Sequence, residues 1–416
     1  MAGFSRQDGA LTCDGLALDQ AAERFGTPLY VYSRAAVEAA YAAYERGFAP
    51  LPHRICYAIK ANGSGGVLRI LAGLGAGADV VSGMELRAAL RAGFAAETIV
   101  FSGVGKTDAE LALALEHGLG GINAESEEEI RRISRLAAAS GTRAHVALRV
   151  NPDIDPKSHP YISTGLAENK FGVDIALAPE ILARVRELPG IEIVGVQCHI
   201  GSQIQDLEPM VEAARSLAAL ARQLLAERYP LRTVDIGGGL GVDYHGDGAP
   251  CPAELAARVL PVLRDLPLTV LVEPGRSILG PAGILLTRVL YVKQGRGKRF
   301  LVVDAGMNDL LRPALYQSHH RIEPVISHGG AVRRVDVVGP VCETSDFLAR
   351  EREIEEVGAG ELLAVRDTGA YGHSMASTYN MRPRPAEVLV EGGRFRLIRR
   401  RERFEDLVAT EVDADG

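Results

Sequence analysis

Between about residues 35 and 280 the chain alternates short β-rich apolar runs with longer Ala/Leu-rich stretches patterned for helix. Strands are predicted over residues 55–60, 78–82, 99–103, 121–124, 145–150, 193–200, 233–237 and 270–273. Helices are predicted between them, over 85–92, 108–116, 126–139, 179–187, 208–228 and 252–263. Eight strand–helix alternations in this span point to a (β/α)8 TIM barrel, an α/β fold with its active site at the C-terminal ends of the strands. A doubly wound open sheet is the alternative. It is disfavoured because no GxGxxG turn opens an early helix and because the strand count suits closure.

Beyond Gly283 the texture changes to period-two alternation, over 285–293, 299–304, 332–338, 362–366, 386–390 and 395–399, separated by Gly, Pro and Asn/Asp turns. This predicts a C-terminal all-β domain, a barrel or sandwich, with little helix. Strand-like runs at 10–18 and 29–32 suggest that the N-terminal segment joins it. The expected domains are therefore 35–280 for the barrel and 1–34 with 281–416 for the β-domain.

Composition narrows the class. The chain has 416 residues, of which 47% are hydrophobic and 24% charged, as in an ordinary water-soluble protein with a large core. A net charge of −7 argues against nucleic acid or an anionic membrane as a partner. The one basic cluster, residues 396–403, carries Leu397 and Ile398 and reads as a strand edge. Five scattered cysteines (Cys13, Cys56, Cys198, Cys251, Cys342) without a CxxC argue against zinc and a disulfide framework. No signal-type h-region and no run of 18 apolar residues occurs, so the cytoplasm is expected and no metal or membrane is called for.

The chemistry gathers at the predicted strand ends. The first strand closes on Lys60, the second on Asp79 to Glu85, the sixth on His199 to Gln203. The seventh closes on Asp235 and Gly237-Gly238-Gly239, and the eighth on Glu273-Pro274-Gly275-Arg276. Each has a plain reading: a solvated lysine, a core histidine, a tight turn, a local ion pair. Their convergence on one rim is the stronger signal. A lysine in a desolvated rim can form a Schiff base, and glycines let backbone N–H groups approach a phosphate. Lysine, phosphate cradle and carboxylate together suit pyridoxal 5′-phosphate (PLP), whose ring nitrogen a carboxylate keeps protonated. Gly103-Val104-Gly105-Lys106-Thr107 looks like a phosphate loop, but the P-loop spacing needs glycine where Val100 stands, so nucleotide hydrolysis is set aside.

At these residues the chain resembles the fold-type III PLP enzymes, the alanine racemase-like group of a barrel plus a β-domain, and within it the diaminopimelate decarboxylase family. The resemblance rests on Tyr57-Ala-Ile-Lys-Ala-Asn62, His199-Ile-Gly-Ser-Gln203, Gly237-Gly-Gly-Leu-Gly241, Glu273-Pro-Gly-Arg276, the run from Met307 to Tyr316, Gly339-Pro-Val-Cys-Glu343 and Gly369-Ala-Tyr371. It implies that Lys60 carries the cofactor, His199 stacks on its ring and Glu273 pairs with the ring nitrogen. Ser202, Gly237, Gly238 and Gly239 would meet the phosphate, with Gly275, Arg276 and Tyr371 also on the cofactor. Arg276, Arg312, Tyr316, Glu343 and Tyr371 would bind substrate, and Cys342 would return a proton to the reacting carbon. The resemblance further implies a homodimer in which Cys342 and Glu343 enter from the second subunit. Met84 departs from the pattern, which has glycine there.

The implied reaction converts meso-2,6-diaminopimelate to L-lysine and CO2, the last step of lysine biosynthesis. The chemistry of the substrate agrees: its distal carboxylate calls for arginine and its distal ammonium for an acid, as Arg276 and Arg312 beside Glu343 would provide. A racemase would place arginine against the ring nitrogen, where this chain has Glu273. A polyamine-type decarboxylase acting on ornithine, arginine or carboxynorspermidine, and a non-catalytic regulatory relative, stay open at this point.

Overall fold

In the computed structural model, which describes residues 3–155 and 170–412, eight parallel strands close on themselves. In order around the barrel they are His53–Ala58, Gly77–Val80, Ile99–Phe101, Gly121–Ala124, Ala144–Asn151, Ile191–Gln197, Thr233–Asp235 and Thr269–Val272. The circle is completed by Thr269–Val272 against His53–Ala58, in register Val270 with His53. The short strand Val173–Asp174 adds to the side of Ala144–Asn151. Strands covered on both faces carry near-continuous apolar runs; Ile99–Phe101 and Gly121–Ala124, for example, are buried throughout. The open-sheet alternative is thereby excluded.

Several strands stop earlier than the sequence pattern suggests. The first ends at Ala58, and Lys60 lies in the following 3-10 turn, Ile59–Ala61. The sixth ends at Gln197 and the seventh at Asp235. The apolar pattern runs on because the turns that leave the ladder are themselves buried, at Ile59, Ala61 and Ile200 for instance. The functional residues consequently sit on turns just above the ladder, where backbone geometry is less regular.

The helices hold their places through local chemistry. Thr107 and Glu110 form a reciprocal capping box at the start of Asp108–His117. The neighbouring Lys106, within the phosphate-loop lookalike, is buried. Its ammonium donates to the carbonyls of Gly103 and Asn123 and to Glu129 Oε1, at 2.7–2.8 Å. That lysine is a structural tie between two loops.

The chain divides into two compact units: residues 40–242 with 249–277, and residues 1–39, 243–248 and 278–416. The second unit is built on a mixed sheet in the order Phe347–Glu355, Val332–Val338, Arg299–Val303, Gly283–Gln294, Leu29–Ser33, Ala386–Glu391 and Arg394–Arg399. The N-terminal strand Leu29–Ser33 pairs with both Gly283–Gln294 and Ala386–Glu391, so the N-terminal segment is an integral part of this sheet. Its core includes Leu11, Leu18, Leu29, Val31, Ile284, Leu286 and Val388.

Two features depart from the reading of the sequence. The run expected to be strand over 10–18 breaks at Asp14 and Gly15, both at positive φ, and Leu18–Phe25 is a helix. Phe347–Glu355, with its charged stretch Arg350-Glu351-Arg352-Glu353, is a nine-residue strand that the pattern did not reveal. Register shifts against Val332–Val338 blur its alternation. No helix among the described residues is long and apolar enough to cross a membrane.

Candidate functional site

In the barrel unit, three carboxyl side chains and one lysine share the mouth. Lys60 leaves the first strand by the 3-10 turn, and its Nζ lies 2.6 Å from Asp79 Oδ2. The lysine side chain is 37% exposed, whereas that of Asp79 is fully buried. Glu273 follows the eighth strand directly and is buried. Its oxygens accept long contacts, 3.5 Å from Asn123 Nδ2 and 3.3 Å from Gln197 Nε2, and its carboxyl shares a hydrogen bond with that of Asp235. Burial, then the carboxyls of Asp235 and Asp79, hold Glu273 well above the ordinary carboxylate range, partly offset by Lys60. Burial likewise pushes Asp235 up to about 6, against the Gly237 N–H that donates to its Oδ1 at 2.8 Å.

The glycine run is a backbone device. Gly237 and Gly239 both take left-handed φ values, +68° and +112°. A methyl group on Gly238 would come within 2.2 Å of the Glu273 carbonyl oxygen, and one on Gly239 within 2.5 Å of the Gly201 carbonyl oxygen. The chain therefore needs bare backbone here before any ligand is considered. The Gly238 N–H donates to His199 Nδ1 at 3.2 Å. That contact leaves the ring proton of a neutral His199 on Nε2. Burial, then Lys60 and Arg149, holds the imidazole well below its usual range, so it is neutral. Arg276, at the start of Arg276–Leu279, donates from Nε and Nη2 to Ser202 Oγ at 3.2 and 3.0 Å. Gly275 packs against Ala58 and Ala61, where a Cβ would sit 2.9 Å from the Ala61 methyl.

These residues suit PLP. The lysine stands at the mouth within reach of an aldehyde, and bare backbone and Ser202 lie on the neighbouring loops. Glu273 is a buried carboxyl that binds a proton strongly among two other carboxyls, as expected of a group that shares a proton with a ring nitrogen.

In the other unit the expected residues fall on three segments. Arg312 opens the short helix Arg312–Tyr316, is 4% exposed, and lies with its guanidinium carbon 4.7 Å from the ring centre of Tyr244. Tyr316 closes the same helix, half-buried. Tyr371 is half-buried, at φ +56°. Cys342 and Glu343 are exposed on one turn, with the Cys342 N–H donating to Asn380 Oδ1 at 2.8 Å. Hydrogen bonds from Ser345, at 2.5 Å, and from Tyr379 hold Glu343 below the usual carboxylate range, so it is an anion. Met84 is 74% exposed on the helix Gly83–Ala92.

The barrel fold brings Lys60, His199, Ser202, Gly237–Gly239, Glu273 and Arg276 onto one rim, and adds Asp79, Asn123, Gln197 and Asp235 as side chains that surround Glu273 or Lys60. Asp79 and Asp235 were noted from the sequence at their strand ends but given no role, and Asn123 and Gln197 were not singled out. The available signal was a polar side chain inside a short strand whose other residues are buried and apolar, as in Gly77–Val80 and Thr233–Asp235.

Comparison with known proteins places this chain among relatives. The model of the family described as "Pyridoxal-dependent decarboxylase, pyridoxal binding domain" matches residues 34–280. A diaminopimelate decarboxylase of Pseudomonas aeruginosa is 50% identical over 408 residues, covering 98% of both chains. The crystal structure of diaminopimelate decarboxylase from Helicobacter pylori complexed with L-lysine aligns with a TM-score of 0.91 at 43% identity, over 94% of this chain and 98% of that one. The M. jannaschii diaminopimelate decarboxylase structure, also with L-lysine, aligns with a TM-score of 0.95 at 37% identity, over 100% and 99%.

Proposed function

This chain belongs to the diaminopimelate decarboxylase family of pyridoxal-dependent decarboxylases, and from that premise we propose how its own residues carry the reaction. The reaction is the decarboxylation of meso-2,6-diaminopimelate to L-lysine and CO2, a lysine-forming step. When bound, PLP supplies the electron sink that accepts the electron pair left by the departing carboxylate.

Lys60 would hold the cofactor by its aldehyde. Asp79, 2.6 Å away, keeps a countercharge beside the lysine nitrogen. Glu273 holds the proton at the ring nitrogen, a task for which its high proton affinity equips it. Neutral His199 offers a flat face to the ring. Ser202 and the backbone of Gly237–Gly239 receive the phosphate, with Arg276 orienting the Ser202 hydroxyl from 3.0 Å and Tyr371 adding a further contact. Arg276, Arg312, Tyr316 and Tyr371 receive the substrate, the arginines taking its carboxylates. Glu343, kept anionic by Ser345 and Tyr379, takes the distal ammonium. Cys342 delivers the proton that replaces CO2.

The acting species is a homodimer that completes each site with Cys342 and Glu343 of the second subunit. Its support is that both residues are exposed in the single chain, where a proton donor would face bulk water. The cytosol is the compartment, in keeping with five cysteines of which none is paired.

The observation that carries this reading is the buried Glu273, its proton affinity raised, within one rim of Lys60 and the glycine run. A CO2-release assay comparing meso-diaminopimelate with ornithine, arginine and carboxynorspermidine tests it. Turnover confined to meso-diaminopimelate is expected; a preference for ornithine or carboxynorspermidine would overturn the substrate assignment.

A further inference from the structure

The substrate-binding role proposed for Arg312 requires a buried guanidinium to be aimed with little freedom. The residue that aims it is eight positions along the chain. His320 is fully buried, and its two ring nitrogens are committed to different partners. Nδ1 lies 2.8 Å from the carbonyl oxygen of Arg366, an acceptor only, so Nδ1 carries the proton. Nε2 lies 2.9 Å from Arg312 Nη1, a donor only, so Nε2 presents its lone pair. The imidazole is thereby fixed as the neutral Nδ1–H tautomer, anchored at one end to backbone and holding the guanidinium at the other.

Tyr244 completes the clasp. Its ring packs edge-on to His320, centroids 5.1 Å apart, and lies under the Arg312 guanidinium. Both groups are neutral, so each orients the guanidinium without cancelling its charge.

We infer that His320 is a positioning residue that sets Arg312 for the distal carboxylate of the substrate, and so contributes to selection of a dicarboxylic diamino acid over a simple amine. This rests on the proposal that Arg312 binds that carboxylate. Decarboxylation at one centre leaves the other amino-acid end intact, so L-lysine retains the recognised carboxylate and 1,5-diaminopentane lacks it.

The test is calorimetric binding of L-lysine and of 1,5-diaminopentane to the holoenzyme carrying His320→Asn, His320→Gln or Arg312→Ala. The amide N–H of asparagine reproduces the Nδ1 anchor to Arg366 but does not reach Arg312. The amide oxygen of glutamine reaches the Nε2 position. His320→Asn is expected to weaken L-lysine about tenfold, one lost charge-assisted hydrogen bond, while 1,5-diaminopentane binds as before. His320→Gln is expected to recover most of the affinity for L-lysine. Equal losses for both ligands, or no selective loss in His320→Asn while Arg312→Ala weakens L-lysine, overturn the role of His320 alone. An Arg312→Ala enzyme that binds L-lysine normally overturns the underlying substrate assignment. Should His320→Asn fail to fold, shown by loss of the wild-type circular-dichroism spectrum, His320→Ser takes its place and is read by the same outcomes.

Discussion

Lys60 Nζ and Asp79 Oδ2 stand 2.6 Å apart at the barrel mouth, the lysine partly open to solvent and the aspartate fully enclosed. The pair is asymmetric: solvent can compensate the ammonium but not the carboxylate. Lys60 is also the cation that offsets the upward shift of Glu273. Lys60→Met should abolish decarboxylation and remove the absorbance near 420 nm typical of protonated PLP imines. It should also cost the apoprotein about 1–2 kcal/mol, less than a fully buried pair because the lysine is part-exposed. The cost has a pH signature. With its offset gone, the folded-state affinity of Glu273 for protons rises further. That contribution to stability is present below the ordinary carboxylate range and is lost as pH rises through the folded value. The gap in Tm between wild type and Lys60→Met should therefore widen as pH rises through the raised folded value of Glu273; a gap independent of pH would show that Lys60 does not serve this cluster.

Glu273→Gln separates stability from function. The substitution removes a buried acid that resists ionisation among two other carboxyls. The apoprotein should gain stability relative to wild type as pH rises above the ordinary carboxylate range, measured as urea midpoints at pH 6 and pH 8. Turnover should fall by about 10²–10³-fold, because the amide cannot hold the ring nitrogen protonated. Cofactor affinity, read by fluorescence titration, should change much less. A variant with near-normal turnover would remove Glu273 from its assigned role.

Gly239→Ala should be damaging twice over. The φ of +112° is strained for alanine, and its methyl would press within 2.5 Å of the Gly201 carbonyl oxygen. A loss of about 1–3 kcal/mol in stability is expected. Relief of that clash by movement of the loop should weaken PLP at least tenfold. Unchanged affinity for PLP and for inorganic phosphate would exclude this loop as the anion cradle.

The shared-site dimer is open to complementation. Lys60→Ala and Cys342→Ala homodimers should each be nearly inactive. Mixing the two under conditions of subunit exchange should restore about a quarter of wild-type activity, since half of the dimers are mixed and each has one intact site of two. No recovery, with exchange verified by mass spectrometry, would place Lys60 and Cys342 of the same chain together.

The barrel was legible because its strands are short apolar runs regularly spaced by helices, and Lys60 and Glu273 because they end such runs. Less legible was whatever depends on partners distant in sequence. Glu273 acquires its proton affinity from burial and then from Asp235 and Asp79, and Arg312 packs against Tyr244; no local pattern encodes either relation. The 347–355 strand was hidden because an exposed sheet face tolerates charges that interrupt the period-two alternation. The Lys106 loop shows the converse, a motif-like string whose lysine is consumed by two carbonyls and Glu129.

The contact between Gly238 and the backbone of Glu273 has a metrical consequence. No side chain stands between the loop offered to the phosphate and the strand end that carries the carboxyl; one main chain rests on the other. On the proposed reading, the distance from anion cradle to the Glu273 main chain is thus a fixed gauge, and only the Glu273 side chain itself can vary it further out. A cofactor analogue whose phosphate arm is one methylene too long would find a cradle unable to retreat, however well its ring and aldehyde were accommodated.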